Sequence, residues 1–149
     1  MNLEAKTYWN NYWGDKKAPG SVTAWQFGAD PDYLAQLVVD GIKTATCSGH
    51  IFYELENESL PSTEDYSVIL NKSDEPVAII KTAEVGIMPM NEVSEEFVVA
   101  EGEGDGTYQY WWSAHEKFFR EELKGTGYEF SEGMLLVCER FELVDVNRD

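Results

Sequence analysis

Aromatic residues near the start of the chain recur at helical spacing. Tyr8, Trp9, Tyr12 and Trp13 stand at spacings of one, three and four residues. Side chains three and four positions apart share one face of a helix. The pattern therefore predicts a short amphipathic helix within residues 3–13.

A second helix is indicated by its two ends. Asp30 followed by a proline is typical of an N-cap and a first helical position, and Gly41 fits the position just after a last helical turn. Apolar residues recur between them at i, i+3 and i+4, which predicts that one side of this helix faces a core. These residues are Tyr33, Leu34, Leu37 and Val38.

The middle and the end of the chain carry strand patterns. Residues 66–70 and 76–87 are apolar and rich in β-branched side chains, and the polar segment 71–75 between them predicts a hairpin. A short strand is predicted over residues 24–27, where the side chains alternate in character. A last strand is predicted over residues 134–144.

Two more helices are predicted in the second half of the chain. Ser94 precedes two glutamates and an apolar run, which indicates a short helix that ends at Ala100. Thr107 can cap the longest helix, which Gly125 and Gly127 end. Strands interleaved with helices around one core predict the α+β class, as a small, mostly antiparallel β-barrel with flanking helices. The residues at helical spacing in the longest helix are Tyr108, Trp111, Trp112, His115, Phe118, Phe119 and Leu123.

Composition supports a single folded domain. The chain has 149 residues, of which 43% are hydrophobic and 13% aromatic, and this argues against disorder. No apolar run approaches the roughly 20 residues of a membrane span, and the first residues lack the apolar block of a signal peptide. Cys47 and Cys138 are too few for a secreted disulfide framework. We therefore expect a cytoplasmic protein without a membrane partner.

The net charge of −17 restricts the possible partners. Lys and Arg number 11 against 28 Asp and Glu, and the basic residues are scattered. A phosphate backbone is bound through clustered cations, so we expect no generic binding of duplex DNA. Any role with nucleic acid then requires a small local site, or a nucleoside without a polyphosphate chain.

A lysine and several hydroxyl side chains follow the second predicted helix directly. Lys43 is followed by Thr46, and residues 45–48 enter a short extended segment or turn. A partly desolvated lysine has a lowered pKa and can act as a base, or it can supply a fixed charge for an oxyanion. Thr46 would then be a nucleophile or would position water. Alternatively, Lys43 only completes the helix, where a cation complements the macrodipole.

Three carboxylates, those of Glu101, Glu103 and Asp105, alternate with glycines. A glycine backbone lets them approach a ligand closely, and their mutual repulsion can raise one pKa and create a general acid. The alternatives are a solvated acidic loop and a cation site. The segment lacks the regular ligand positions and the final glutamate of an EF-hand, which argues against calcium.

The two histidines are weaker candidates. His115 lies on the aromatic stripe of the longest helix, which favours a buried or rim histidine over a catalyst. Cys47 and His50 have a Cys-x-x-His spacing, but two cysteines and two histidines make a closed zinc site improbable, and we predict neither a metal nor a cofactor. Aromatic residues near the lysine segment are core residues by default and can also stack on a base. They are Trp25, Phe27 and Tyr53.

Five short motifs, in this order, resemble the ASCH domain family, whose members share a PUA-like β-barrel. The resemblance spans most of the chain and suggests the longer bacterial subgroup, which has an added N-terminal helix. We therefore expect an ASCH domain over residues 24–146 and a helical extension over residues 1–23 that packs on it. The motifs are Gly41-x-Lys43-x-x-Thr46, Glu64-Asp65-Tyr66, the acidic segment 100–105, Tyr110-Trp111 with His115, and Cys138-Glu139-Arg140-Phe141.

The resemblance implies a cleft beside the barrel, lined by the lysine motif, and an association with RNA or nucleosides. A smaller bacterial member removes the acetyl group of N4-acetylcytidine with a lysine, a threonine and a glutamate. Lys43 and Thr46 match the first two, and Glu103 matches the glutamate best, with Glu101 as the second choice. Other members act as ribonucleases. An arginine is common two residues after the threonine, where this chain has Ser48, and this departure argues against an anionic substrate group.

We therefore expect a hydrolase of an acylated or otherwise modified nucleoside. In this hypothesis Lys43, with a lowered pKa, takes a proton from Thr46 or from water, and Glu103 protonates the leaving amine. The alternatives are a non-catalytic module that binds a nucleotide or a short RNA segment, and a ribonuclease. The residues expected to contact a nucleoside-like ligand are Trp25, Phe27, Ser48, Tyr53, Asp65, Glu101, Asp105, Trp111 and His115.

The charge yields a first testable prediction. Affinity for random-sequence RNA and for duplex DNA should be very weak at about 150 mM salt, the physiological ionic strength. The reason is that the net charge opposes phosphate and that no cluster of cations offsets it. Fluorescence anisotropy with labelled random RNA measures the affinity, and a sub-micromolar Kd would contradict the prediction.

Overall fold

Five α-helices and five strands account for most of residues 1–148, the part of the chain that the computed structural model describes. The helices are α1 (Leu3–Trp13), α2 (Pro31–Val39), α3 (His50–Leu55), α4 (Glu95–Glu101) and α5 (Tyr108–Leu123). The strands are β1 (Val22–Gln26), β2 (Ala45–Gly49), β3 (Tyr66–Leu70), β4 (Pro76–Pro89) and β5 (Leu135–Val146), and a 3-10 turn spans Met90–Glu92.

The five strands form one curled sheet, a half-barrel. Their order is β1-β3-β4-β5-β2, so that β1 and β2 are the two edges. β1 pairs parallel with β3, and every other neighbouring pair is antiparallel. The α+β class and the mostly antiparallel barrel-like sheet predicted from the sequence are confirmed.

Helices cover both faces of the sheet. Ile69 and Ile80 pack against α2, whereas Val68 and Ile79, one position earlier in each strand, pack against Trp9 of α1. This alternation follows from the two-residue period of a strand, which sends neighbouring side chains to opposite faces. A third apolar cluster joins α4 and α5 to β2 and β5. None of the helices in residues 1–148 is long and apolar enough to cross a membrane.

The predicted helix starts carry the expected caps. The side chain of Asp30 accepts a hydrogen bond from the Tyr33 backbone N–H, and Ser94 and Thr107 cap α4 and α5 in the same way. Gly41 follows the end of α2 with φ +75°. Helix ends that are fixed by local side-chain chemistry were therefore predictable from the sequence.

Two differences from the sequence prediction concern the elements around the cleft. α3 was not predicted, because it has no side-chain cap and buries none of its residues, so it leaves no apolar stripe. Glu101 was placed on the flexible acidic loop but is the last residue of α4, and it is 1% exposed. Local propensity gives no sign of this burial, which depends on partners distant in sequence.

The end of α4 packs directly on the segment between α2 and β2. The Thr44 backbone N–H donates to the Ala100 carbonyl over 2.7 Å. Gly102, with φ +70°, follows at once, and a Cβ atom added there would lie 2.5 Å from the Ile42 carbonyl oxygen. Only glycine allows this approach, which brings the lysine segment and the acidic segment together.

This close approach predicts a stability difference between two glycines. Gly106→Ala should cost about 1 kcal/mol, because its φ of +77° is unfavourable for a side chain although the surrounding space is open. Gly102 has a similar φ of +70°, and Gly102→Ala should cost about 1–3 kcal/mol more than Gly106→Ala, because the added methyl group would clash with the backbone of Ile42. Urea unfolding of both variants measures the difference, and equal losses would contradict the prediction.

Candidate functional site

A cleft of about 890 Å³ opens on the half-barrel between its two edge strands, and residues of α3, α5 and the acidic segment complete its lining. This volume lies in the usual range for small-molecule sites. Five residues that carry chemistry line it together, although they are widely separated in sequence. They are Lys43, Thr46, Glu101, Glu103 and His115.

Lys43 is the buried cation of the cleft. It lies between α2 and β2 and is 2% exposed. Its Nζ is 2.9 Å from Oε2 of Glu103 and 3.3 Å from Oε1 of Glu101. The same Nζ lies over the Phe27 ring, 5.4 Å from the centroid. The ammonium group is thus held between two carboxylates on one side and an aromatic face on the other.

Glu101 accepts three side-chain hydrogen bonds and lies beside His115. Lys43 donates to Oε1, while the Trp111 indole N–H and the Cys47 thiol donate to Oε2. Nε2 of His115 lies 3.5 Å from the same Oε2, and Nδ1 of His115 donates to the Trp111 carbonyl over 2.7 Å. The carboxylate is therefore saturated with donors, as a buried charge must be.

The pKa directions follow from this arrangement. Burial alone would lower the pKa of Lys43, but the charges of Glu101 and Glu103 outweigh it, and the pKa is raised. The lowered pKa expected from the sequence is therefore wrong, because two carboxylates overcome desolvation. Burial alone would raise the pKa of Glu101, and the charge of Lys43 with the bonds from His115 and Trp111 lowers it. Both groups are charged at neutral pH.

The carboxylate of Glu101 raises the pKa of both His115 and Cys47. Burial would lower the pKa of His115, but its bond to Glu101 and the negative charge there raise it. Burial, and then the charge of Glu101, raise the pKa of the Cys47 thiol well above its usual value. Cys47 is therefore a neutral donor here and a poor nucleophile.

Ligand atoms of Cys47, Glu101 and His115 lie within 4.8 Å of one another, and these side-chain types bind zinc. Two observations oppose a cation there. The Lys43 ammonium is 3.3 Å from one Glu101 oxygen, and the Trp111 N–H points at the other. A bound metal ion would be repelled by the Lys43 ammonium and would compete with the Trp111 N–H for Glu101. The three side chains are therefore better explained as a carboxylate with its hydrogen-bond partners than as a set of metal ligands.

A second group of polar side chains lies on the strands of the same cleft. Thr46 of β2 stands directly opposite Glu139 of β5 in the antiparallel ladder, and both line the cleft. No hydrogen bond within residues 1–148 uses the Thr46 hydroxyl. Thr82 donates to Oε1 of Glu139 over 3.3 Å, and Asp65 lies nearby. Burial, and then the charge of Asp65, raise the pKa of Glu139 against the lowering effect of the Thr82 bond.

Aromatic side chains form the walls of the cleft. Trp25 and Phe27 make an edge-to-face pair with centroids 4.9 Å apart. The Tyr53 hydroxyl is 2.9 Å from Oγ of Ser48. Ser48 stands at the position where the motif described above commonly has an arginine. Here its hydroxyl orients the Tyr53 ring, and the position carries no charge. Flat apolar faces of this kind can stack on a nucleobase.

Two of the predicted contact residues lie away from the cleft. Asp105 accepts hydrogen bonds from the backbone N–H and the hydroxyl of Thr107, at 2.9 and 2.7 Å, and so closes a turn before α5. Trp111 is buried behind Glu101 and supports that carboxylate. Both residues are close in sequence to residues that line the cleft, but their side chains contact Thr107 and Glu101 and do not reach the cleft.

Glu139 was not among the site residues expected from the sequence. Its place beside Thr46 depends on the register of β2 against β5, which no local pattern encodes. The available signal was the Cys138-Glu139-Arg140-Phe141 motif, in which an acidic residue directly follows the apolar first part of β5.

The cleft is strongly acidic. Among its lining residues, seven are acidic, whereas Lys43 is the one lysine and there is no arginine. Such a lining opposes a phosphate group. The acidic residues are Glu56, Glu58, Asp65, Glu101, Glu103, Glu122 and Glu139.

Comparisons with known proteins agree with this geometry. The model of the ASCH domain family matches residues 23–145. An ASCH domain structure from Lactobacillus crispatus is 33% identical, with a TM-score of 0.91, over 97% of this chain and 96% of that one. A protein structure from Enterococcus faecalis is 42% identical, with a TM-score of 0.85, over 98% of this chain and 91% of that one. An ASCH structure from Zymomonas mobilis is 12% identical, with a TM-score of 0.52, over 86% of this chain and 73% of that one, and this likeness shows the fold alone. No curated protein matches the chain.

The ion pairs of the cleft predict a pH-dependent loss of stability in Glu101→Gln. At neutral pH the variant should lose about 3 kcal/mol, because breaking a buried pair leaves Lys43 less compensated. The pKa of Glu101 is lowered to about 2, below the usual value of about 4.3 for an unfolded chain. Its ionisation therefore stabilises the fold above the unfolded pKa, and this contribution is lost as the pH falls toward the folded pKa.

Urea unfolding of both proteins at several pH values from neutral to acidic measures this difference. The gap between wild type and Glu101→Gln should shrink as the pH falls. Glu121→Gln is the control, since Glu121 forms an exposed pair with Lys124 and should change stability by less than about 1 kcal/mol. Equal stability of Glu101→Gln and wild type at neutral pH would show that the buried pair contributes nothing.

Proposed function

The chain belongs to the ASCH domain family, and we propose on that basis that it hydrolyses the amide of an acylated nucleoside of the N4-acetylcytidine type. The family is associated with RNA-binding or hydrolase-like roles in general. The observation that carries the narrower proposal is a buried, doubly paired lysine in the same small-molecule cleft as an unengaged threonine hydroxyl.

The charges of the cleft favour a neutral substrate. Seven acidic side chains line it against one lysine, so a phosphodiester would enter an unfavourable field. An acylated nucleoside carries no formal charge on its base or on its acyl group. Trp25 and Phe27 offer apolar faces for the base. The acidic lining therefore favours hydrolysis of a nucleoside amide over ribonuclease action.

Thr46 is the proposed nucleophile. Its hydroxyl lines the cleft and makes no hydrogen bond within residues 1–148, so a substrate carbonyl can approach it. Attack forms a bond from Oγ1 to the carbonyl carbon and breaks the carbonyl π bond, which places a negative charge on the oxygen. Loss of the amine then gives an acyl-threonine ester, and water hydrolyses the ester.

Lys43 is the proposed electrostatic partner of that oxyanion. Because its pKa is raised, it is an ammonium group and lacks the lone pair of a base. A positive charge that is already in place beside the reacting carbonyl stabilises the negative charge that develops in the transition state. Glu103, 2.9 Å from Nζ, can pass a proton from Lys43 to the leaving amine.

Turnover of N4-acetylcytidine by the purified protein tests the proposal. Cytidine and acetate should form in equal amounts, as measured by liquid chromatography. Lys43→Ala should lower kcat by about 100-fold to 1,000-fold, the usual cost of removing an oxyanion-stabilising group. Thr46→Ala should abolish turnover, and Thr46→Ser should retain part of it.

Thr44→Ala is the matched control for Thr46→Ala. Thr44 lies two residues away and donates to the Ala100 carbonyl, and it is not part of the cleft lining. Its variant should keep wild-type kcat. Binding of the nucleoside without any turnover would instead identify the protein as a non-catalytic binding module.

A further inference from the structure

The proposed reaction lacks a group that removes the proton of Thr46. Lys43 is charged, and its Nζ already donates to Glu101 and Glu103. A threonine hydroxyl is a weak nucleophile without an adjacent base. The base must therefore be another acceptor in the cleft within reach of Oγ1.

Glu139 lies in the position that such a base requires. It stands directly opposite Thr46 in the β2–β5 ladder. Directly opposed residues of antiparallel strands project to the same face, with Cβ atoms about 5 Å apart. A glutamate side chain is long enough to bring its carboxylate to a hydroxyl at that separation. Both residues line the cleft.

The other carboxylates near the lysine are already engaged. Glu101 accepts from Lys43, Cys47 and Trp111, and Glu103 holds the ammonium at 2.9 Å. Within residues 1–148, Glu139 accepts one hydrogen bond, from Thr82 to Oε1. Its second oxygen is therefore available to Thr46.

We propose that Glu139 is the general base that accepts the proton of Thr46 as the hydroxyl attacks the substrate carbonyl. The inference rests on the proposed amide hydrolysis and adds to it a residue on β5. Glu139 thereby acts on the reacting atoms from the strand side of the cleft. Lys43 and Glu103 belong to the two segments that meet at the end of α4.

The protons balance over one turnover. In acylation, Glu139 takes the Thr46 proton, and the leaving amine takes a proton from Lys43 through Glu103 as the C–N bond breaks. In deacylation, water attacks the ester and returns its proton through Glu103 to Lys43. Glu139 then returns its proton to the departing Oγ1 of Thr46. The sum is one amide and one water converted into one acid and one amine.

The surroundings of Glu139 suit this role. Burial raises its pKa, the Thr82 bond lowers it, and the charge of Asp65 raises it, with a net upward direction. The other titratable groups that interact with it are Tyr53 of α3 and its neighbour Cys138. A carboxylate base is more effective when its pKa moves toward the working pH. Because the base acts ionised, kcat/KM should fall as the pH drops through this pKa.

The experiment is a set of pH–rate profiles for N4-acetylcytidine hydrolysis by wild type, Glu139→Gln, Asp65→Asn and Thr82→Val. Glu139→Gln should lower kcat about 100-fold or more, the usual contribution of a general base. It should also remove the acid limb of the kcat/KM profile. Asp65→Asn should move the acid limb to lower pH, because it removes a charge that raises the pKa of Glu139. Thr82→Val should move the limb to higher pH, because it removes the bond that lowers that pKa.

The three variants and the wild type together test the role of Glu139 separately from the proposed hydrolysis. Opposite shifts in Asp65→Asn and Thr82→Val, together with the loss in Glu139→Gln, support Glu139 as the base. An active wild type whose Glu139→Gln variant keeps kcat and the acid limb overturns the inference and leaves the proposed hydrolysis standing. A wild type without turnover overturns both. The opposite shifts separate a base from a merely structural glutamate, and they stand even if Glu139→Gln folds poorly.

Discussion

The burial of one positive charge, that of Lys43, governs the rest of the site. An ammonium group taken out of water costs several kcal/mol unless carboxylates and hydrogen bonds compensate it. Glu101 and Glu103 supply that compensation, and both belong to the segment at the end of α4. The close approach at Gly102 and the bond from Thr44 to Ala100 hold this segment in place.

The same pairing decides what the lysine can do. Two nearby carboxylates raise its pKa against the effect of burial, so Lys43 is an ammonium group, which can stabilise an oxyanion and supply a proton to the leaving amine but cannot act as a base. Removal of the Thr46 proton then requires a group on another element of the cleft. Thr46 and Glu139 face each other across β2 and β5. The cleft thus separates charge stabilisation, beside α4, from proton removal, on the sheet.

Local chemistry made much of the fold predictable. The caps at Asp30, Ser94 and Thr107 and the stop at Gly41 depend on residues within one turn, and all four were located from the sequence. The partners of Glu101 depend on packing between elements far apart in the chain. The lysine motif was visible as well, but the direction of its pKa shift depends on distances to two carboxylates. The pairing of β2 with β5, which places an acid opposite the threonine, depends on register and has no local signature.

NMR of the Lys43 side-chain nitrogen across a pH titration reports the charge state of this residue. The Nζ resonance should keep its ammonium shift from neutral pH to beyond about 10.4, the ordinary lysine pKa. The raised pKa that results from pairing with Glu101 and Glu103 requires this. A titration of Nζ near neutral pH would show that desolvation prevails, and it would contradict the division of roles in the cleft.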